Sequence, residues 1–298
     1  MIFDRALIRR RQRRAAALGP ATFLLDRVTD DLAERLQTVL RQFDLAVDLG
    51  TPGEAVRAAL VGLRSIGTIV ATSALPDLAI HTDQRERLVV ADEEALPFRD
   101  ASLDLVVSAL ALQFVNDLPG TLVQIRRALK PDGLFLAALL GGETLTELRQ
   151  AFAAAESDIE GGVSPHVAPF ADLRDLGALL QRAGFALPVA DSDRLIVRYD
   201  TVFGLVRDLR RMGATNALLD RRRTPLKRAT LVRMAEIYAQ RFADPDGRVR
   251  ATFEIMWLSG WAPHPRQQQP LKPGSASTRL ADALGAREIS AGEKAGRE

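Results

Sequence analysis

Residues 45–54 read Leu45-Ala46-Val47-Asp48-Leu49-Gly50-Thr51-Pro52-Gly53-Glu54. An apolar run ends in Asp-Leu-Gly and turns tightly into an amphipathic segment, the pattern of a strand, a loop and a helix. In an open α/β sheet such a junction admits a nucleotide-type ligand, because ligands bind beyond the carboxyl ends of the strands. The second half of the stretch carries a different message. Proline holds φ near about −65° and has no N–H to offer a ligand. Thr51-Pro52-Gly53-Glu54 also spells a capping box with proline at the first helical position. In that box Thr51 would cap the Glu54 amide, and Glu54 would set an internal carboxylate at the positive end of the helix.

Working outward, the alternation of elements is regular. Strand patterns at 45–50, 67–72, 88–91, 103–110 and 134–140 are separated by helical patterns at 53–63 and 117–129. Residues 103–110 are almost continuously apolar, as in strands covered on both faces. Such spacing implies βαβ crossovers and a mostly parallel sheet. A helix is expected at 29–43, with Thr29 or Asp30 as its cap, and Lys130-Pro131-Asp132-Gly133 reads as a turn. Beyond Gly141-Gly142 come a helix at 143–156, an irregular loop at 161–166, and a helix at 173–183 stopped by Gly184. Strands at 185–189 and 195–199, helices at 202–212 and 225–242 and a final strand at 252–258 complete the pattern. The expected division is a basic, helical segment at 1–43, an α/β domain at 44–261 with a helical insertion at about 200–247, and a mobile tail at 262–298.

Composition narrows the function classes. Of 298 residues, 47% are apolar and 26% charged, an ordinary globular balance, and no apolar run reaches the roughly 18 residues that span a bilayer. Peripheral membrane association stays open. The chain has no cysteine, which removes disulfides, thiolate catalysis and Cys-based metal sites and points to a cytoplasmic protein. His81, His166 and His264 lack metal-ligand spacing, so no metal is expected. A formal net charge of +2 argues against nucleic acid as a partner. Arginines nevertheless cluster at 5–14 and 221–228, and such runs read first as solvated helix faces and second as docking surfaces. The first cluster is acid-poor, as transit peptides are, yet it runs straight into a helical pattern and reads as mature protein.

Further segments carry a family resemblance. Ala91-Asp92-Glu93-Glu94-Ala95-Leu96-Pro97-Phe98, Asp104-Leu105-Val106-Val107-Ser108, Phe114-Val115-Asn116-Asp117-Leu118-Pro119 and Leu129-Lys130-Pro131-Asp132-Gly133 resemble class I S-adenosylmethionine-dependent methyltransferases. The closer similarity is to the family of methyltransferase-like complex I assembly factor 5, an arginine hydroxylase, and its alphaproteobacterial relatives. Ile2-Phe3-Asp4-Arg5, Gly141-Gly142-Glu143-Thr144-Leu145, Glu147-Leu148-Arg149, Gly161-Gly162, Ser164-Pro165-His166 and Gly274-Ser275-Ala276 resemble that group too. The malonyl-carrier-protein methyltransferase of biotin synthesis is similar at a greater distance.

The resemblance implies a Rossmann-like class I methyltransferase fold, with a mostly parallel seven-stranded sheet, helices on both faces and a helical insertion before the last strand. It implies S-adenosylmethionine as cofactor, with Asp48, Gly50 and Gly53 at its methionine end. Asp92 would hold the adenine amino group, with Glu93 beside it. Thr72 stands where relatives place the acid that binds the ribose hydroxyls. Phe114, Asn116, Glu143 and His166 are the candidate catalytic residues, in segments implied to face the acceptor. Departures are plain. Pro52 and Glu54 replace the second and third glycines of Asp-x-Gly-x-Gly-x-Gly, and Gln113 stands where relatives tend to have His. The Thr72 hydroxyl donates one hydrogen bond and does not accept two as a carboxylate does, so Thr72→Asp is expected to tighten cofactor binding.

Three readings stay open. One is an enzyme modifying a protein partner, with an arginine of a respiratory complex I subunit as the implied acceptor. A second is a non-catalytic assembly factor with a degraded cofactor site, and a third is a small-molecule or carrier-protein methyltransferase. Among single residues, His166 reads as a turn hydrogen-bonder before a catalyst. Trp257 and Trp261 read as packing, and Arg149 as a salt-bridge partner of Glu147.

Overall fold

Leu134, Leu136, Ala138 and Leu140 pack into one hydrophobic cluster, while Phe135, Ala137 and Leu139 pack into another. That period of two is what a strand covered on both faces requires. The strand is β5 (Leu129–Leu140), near the middle of a seven-stranded sheet. In the computed structural model, which describes residues 1–75, 86–267, 278 and 280–286, the strand order is β3-β2-β1-β4-β5-β7-β6. The other strands are β1 (Phe43–Leu49), β2 (Ile66–Ser73), β3 (Glu86–Val90), β4 (Leu103–Ala109), β6 (Ala186–Tyr199) and β7 (Val249–Trp261). β1 to β5 pair in parallel, and β7 runs antiparallel to both β5 and β6. This is the Rossmann-like methyltransferase fold. Strand order reverses between β1 and β4, where such sheets bind ligands.

Helices cover both faces. α4 (Leu118–Ala128) and α6 (Leu173–Arg182) pack on one side through Leu122, Ile125, Leu176 and Leu180. On the other lie α2 (Phe23–Gln37), α3 (Ala55–Gly62), α5 (Thr146–Glu160), α7 (Val202–Arg211) and α8 (Arg228–Phe242). α7 and α8 form the insertion before the last strand. α1 (Arg5–Ala17) joins a small cluster of Phe3, Leu7 and Ile8 with Ala217 and Leu218 of the insertion. Among the described residues, no helix is long and apolar enough to cross a membrane.

Several expected boundaries move. The leading helix spans Phe23–Gln37 rather than 29–43, because Leu24, Leu25 and Val28 are already buried in its first turns. The turn at 130–133 is absorbed into β5 as an irregularity between pairs Leu103–Leu129 and Leu105–Leu134, with Asp132 at φ +62°. The expected strands 185–189 and 195–199 are one strand, β6. Its polar middle is held from α2: Arg35 donates to Asp191 at 2.7 and 2.9 Å, and Arg27 pairs with Asp193 at 3.7 Å. Trp257 is buried under the Arg35 guanidinium, 4.4 Å from the ring centre, and Arg41 lies 5.2 Å over Trp261.

Met1–Pro263 forms one compact unit, and α1 and α2 belong to it. Ala262 still belongs to the sheet unit: it is buried, with its N–H on the Gly133 carbonyl at 2.8 Å. In the second unit, His264–Glu298, the short helix α9 spans Leu280–Leu284. His81 and Gly274-Ser275-Ala276 lie outside the described residues, as does much of the expected tail.

Candidate functional site

Three hydroxyls pin the loop after β1. The Thr72 hydroxyl donates to the Asp48 carbonyl at 3.3 Å and accepts from the Gly50 N–H at 3.1 Å. Ser108 donates to the Leu49 carbonyl at 2.8 Å, and the Thr51 hydroxyl accepts from the Ala109 N–H at 3.0 Å. Thr51 is thereby spent on β4, and the capping box does not form: α3 begins at Ala55 with Glu54 as cap and no side-chain cap bond. Buried Arg57 instead holds the Gly53 carbonyl at 3.1 Å. Gly50 and Gly53 both take left-handed conformations, at φ +69° and +78°. No atom lies within 4 Å of a Cβ built on Gly53, whereas one on Gly50 would meet the Glu93 carboxylate at 2.6 Å.

The N-terminal segment ties Asp92, Glu93, Phe114 and Asn116 together. Arg5 on α1 donates to Asp92 at 2.7 Å and also bonds Glu93, while Arg9 one turn on bonds Asp92. Arg5 further donates to the Phe114 carbonyl at 3.2 Å. Asn116 accepts from the Ile2 and Phe3 N–H groups at 2.7 and 2.8 Å and donates to the Phe3 carbonyl at 3.2 Å. The Phe3 and Phe114 rings meet edge to face, with centres 5.8 Å apart. Burial raises the Asp92 carboxyl, but the Glu94 N–H and the two arginines outweigh it and hold it below its ordinary value. Part of the N-terminal arginine run is therefore an ion-pairing face, while Arg10, Arg13 and Arg14 are exposed.

Thr72 does not offer a hydroxyl to a ligand as expected. It is 3% exposed, and its hydroxyl proton is spent within the loop while its oxygen already accepts from the Gly50 N–H. Gln113 is buried, its amide N–H on the Leu110 carbonyl at 2.7 Å and its amide oxygen without a partner among the described residues.

The other two candidates sit elsewhere. Glu143 is exposed, 3.7 Å from Arg194 of β6. His166 stacks on Phe152 at 3.9 Å. Its Nε2 meets both Glu156, at 2.8 Å, and Ser164, at 3.2 Å. A Ser-His-acid relay needs the hydroxyl and the acid on opposite ring nitrogens, so this cluster does not activate Ser164 as a nucleophile. Burial raises the Glu156 carboxyl, but bonds from His166 and from the Ser164 N–H and hydroxyl hold it below its ordinary value. Arg149 makes no pair with Glu147. It reaches the Gly142 and Thr144 carbonyls at 3.3 and 3.4 Å, while buried Glu147 accepts from the N–H and hydroxyl of Thr252.

Arg5, Arg9 and Glu156 were not singled out as site residues by sequence reasoning. The Ile2-Phe3-Asp4-Arg5 resemblance was a signal for the first of them, since nothing in the fold signature alone asks for it.

Residues 47–137 match the family described as methyltransferase domain. The chain is 39% identical over 287 residues to the mitochondrial arginine-hydroxylase NDUFAF5 of Danio rerio, a match that covers 94% of this chain and 89% of that one. The chain belongs to the NDUFAF5 family. Similarity extends to the malonyl-[acyl-carrier protein] O-methyltransferase of Laribacter hongkongensis, 42% identical over 187 residues, covering 63% of this chain and 60% of that one. A solved structure of a methyltransferase from Bacillus halodurans superposes with a TM-score of 0.54 at 16% identity, covering 78% of this chain and 98% of that one. That likeness concerns the fold.

Proposed function

We propose that this chain binds S-adenosylmethionine at the β1–β4 crossover and acts on an arginine side chain of a protein partner, a respiratory complex I subunit, during assembly. The observation that carries the reading is the convergence at one sheet edge of Asp48, the left-handed Gly50 and Gly53, and the acids Asp92 and Glu93. The residues fit the cofactor at two of its three parts. Open space at Gly53 suits the methionine end, and the Asp92–Glu93 pair suits the adenine amino group. The ribose lacks its acid, since Thr72 is engaged internally. Bound there, the cofactor supplies an electrophilic methyl group on a sulfonium.

This chain's residues do the rest. Asp48, Gly50 and Gly53 shape the loop, Asp92 orients the ligand, and the Phe3–Phe114 pair excludes water from the rim. Losing charge-assisted bonds at about 1.5–3 kcal/mol each leaves affinity one to a few orders of magnitude below that of a site with the acid. The absence of cysteine supports a cytoplasmic location for this chain.

A non-catalytic assembly factor is the second reading, and a specific observation favours it: Arg5 and Arg9 already satisfy the acids a cofactor would use. Calorimetric titration with S-adenosylmethionine separates the two. Micromolar binding supports the enzyme, and no heat at millimolar ligand with a folded protein sinks it. Intact mass of the partner subunit after incubation then distinguishes an added methyl from an added oxygen.

A further inference from the structure

On its other side, α1 borders a second feature. Arg11 is about 200° around the helix from Arg9, so it points away from Asp92 and toward the insertion. There it donates to the Thr215 carbonyl at 2.6 Å and to that of Asn216, with no carboxylate bonded to it among the described residues. With Arg221, Arg222 and Arg223 it lines a cavity of about 410 Å³. His166 lines this cavity and also a neighbouring one of about 300 Å³, whose walls include Phe152, Val163 and Pro165. His166 is shared by both, so the two hollows adjoin and make a bipartite trough, basic on one side of His166 and, apart from Arg149 and Ser164, apolar on the other.

The charges in the basic half do not cancel. Asp4 takes Arg221 at 3.3 Å, while Glu160 takes Arg222 at 3.3 Å and Lys227 at 2.9 Å. Glu156 lies 3.9 Å from Arg222 and is bonded to His166 and Ser164. Among the described residues Arg11 bonds carbonyls and no carboxylate, with Asp4 acting on it only through space, and exposed Arg223 has no partner. Beside the apolar half, Val163 is 63% exposed.

We propose that this trough binds an extended acidic–apolar segment of the protein partner, with a carboxylate seated among Arg11, Arg222 and Arg223 and an apolar side chain against exposed Val163 and Pro165. The proposal rests on the protein-partner reading above. Charge complementarity favours a carboxylate, which a guanidinium binds through a matching fork. Nucleic acid suits the site poorly. Three carboxylates interrupt the cationic row, and the Phe152 ring is already covered by His166 rather than open for stacking. Free phosphate would use the basic half alone.

The test uses the full chain and a short fluorescein-labelled peptide containing Leu-Gly-Glu, read by anisotropy. Control titrations use the Leu-Gly-Gln and Ser-Gly-Glu peptides, inorganic phosphate and a single-stranded oligonucleotide. Arg223→Glu and Val163→Asp alter exposed positions outside the cofactor loop, and circular dichroism checks that both variants fold. The Leu-Gly-Glu peptide is expected to bind, each variant to weaken it about tenfold, and each peptide control to weaken it comparably. Binding insensitive to Val163→Asp, or equal binding of the Gln peptide, phosphate or the oligonucleotide, overturns the proposal. Titration with S-adenosylmethionine is expected to be unchanged in both variants. If cofactor binds and the partner is modified equally well by wild type and by both variants, the trough is wrong while the enzyme reading stands. Peptide binding without cofactor binding supports the trough and sinks the enzyme.

Discussion

Arg5 and Asp92 lie 87 positions apart in the chain and 2.7 Å apart in space. Their ion pair ties the first helix to the carboxyl end of β3, on the side of the sheet where open α/β folds bind their ligands. Because Arg5 also bonds Glu93 and the Phe114 carbonyl, one guanidinium joins α1 to three residues of the site.

Arg5→Gln removes that guanidinium. Global stability is expected to fall by about 1–3 kcal/mol, the range for hydrogen bonds to charged groups that leave a half-buried partner. Denaturant midpoints check this, and hydrogen exchange in α1 is expected to speed up more than in α5. Equal protection of both helices would show that α1 is held by Phe3 and Leu7 alone.

Thr72→Asp, expected from sequence to tighten cofactor binding, is now expected to destabilise the fold. The new carboxylate would face the Asp48 carbonyl, which at present accepts from the Thr72 hydroxyl. Thr72→Val, which deletes the hydroxyl and nearly keeps the shape, is expected to cost about 1 kcal/mol. Thermal unfolding of both variants tests the order, with Asp the worse.

Gly50→Ala is expected to cost more than an ordinary loop substitution. At φ +69° an L-residue is strained by about 1–2 kcal/mol, and its Cβ would also press on the Glu93 carboxylate. Gly53→Ala, with an equally positive φ but open space, is expected to cost the strain alone. The difference between the two midpoints measures how tightly Glu93 closes on the loop.

Acid is expected to loosen the α5–insertion contact. Hydrogen bonds from Lys227 and Thr230 hold the Glu160 carboxyl down to about 2, from an ordinary 4.5, and Glu156 is lowered as well. A depressed native pKa means that the unfolded chain binds more protons, so this stability is complete above about 4.5 and lost as pH falls toward 2. In the double variant Glu156→Gln, Glu160→Gln the stability profile over that window is expected to flatten. A slope identical to wild type would show that other carboxylates govern acid unfolding.

The elements that sequence made legible share a property: each buries a periodic face. β5 alternates and β4 is almost continuously apolar, so their place inside a covered sheet follows from burial alone. The β6 sequence has the pattern of two strands because Asp191, Ser192 and Asp193 interrupt it, and Arg35 and Arg27 on α2 compensate for that interruption. The capping box failed for the same kind of reason. Thr51 had a local partner in Glu54 and a distant one in the Ala109 N–H, and the distant one was taken.

By itself, the sequence determined the fold, the strand–loop–helix at 45–62 and the acids that stand at its mouth, because periodic burial and glycine-permitted turns are local properties of the chain. Tertiary structure alone decided what occupies those groups. Arg5 on the acids, the Phe3 backbone on Asn116 and the Gly50 N–H on Thr72 are pairings between distant segments. Hydrogen bonds and ion pairs depend on distances of about 3 Å that only the packed molecule sets.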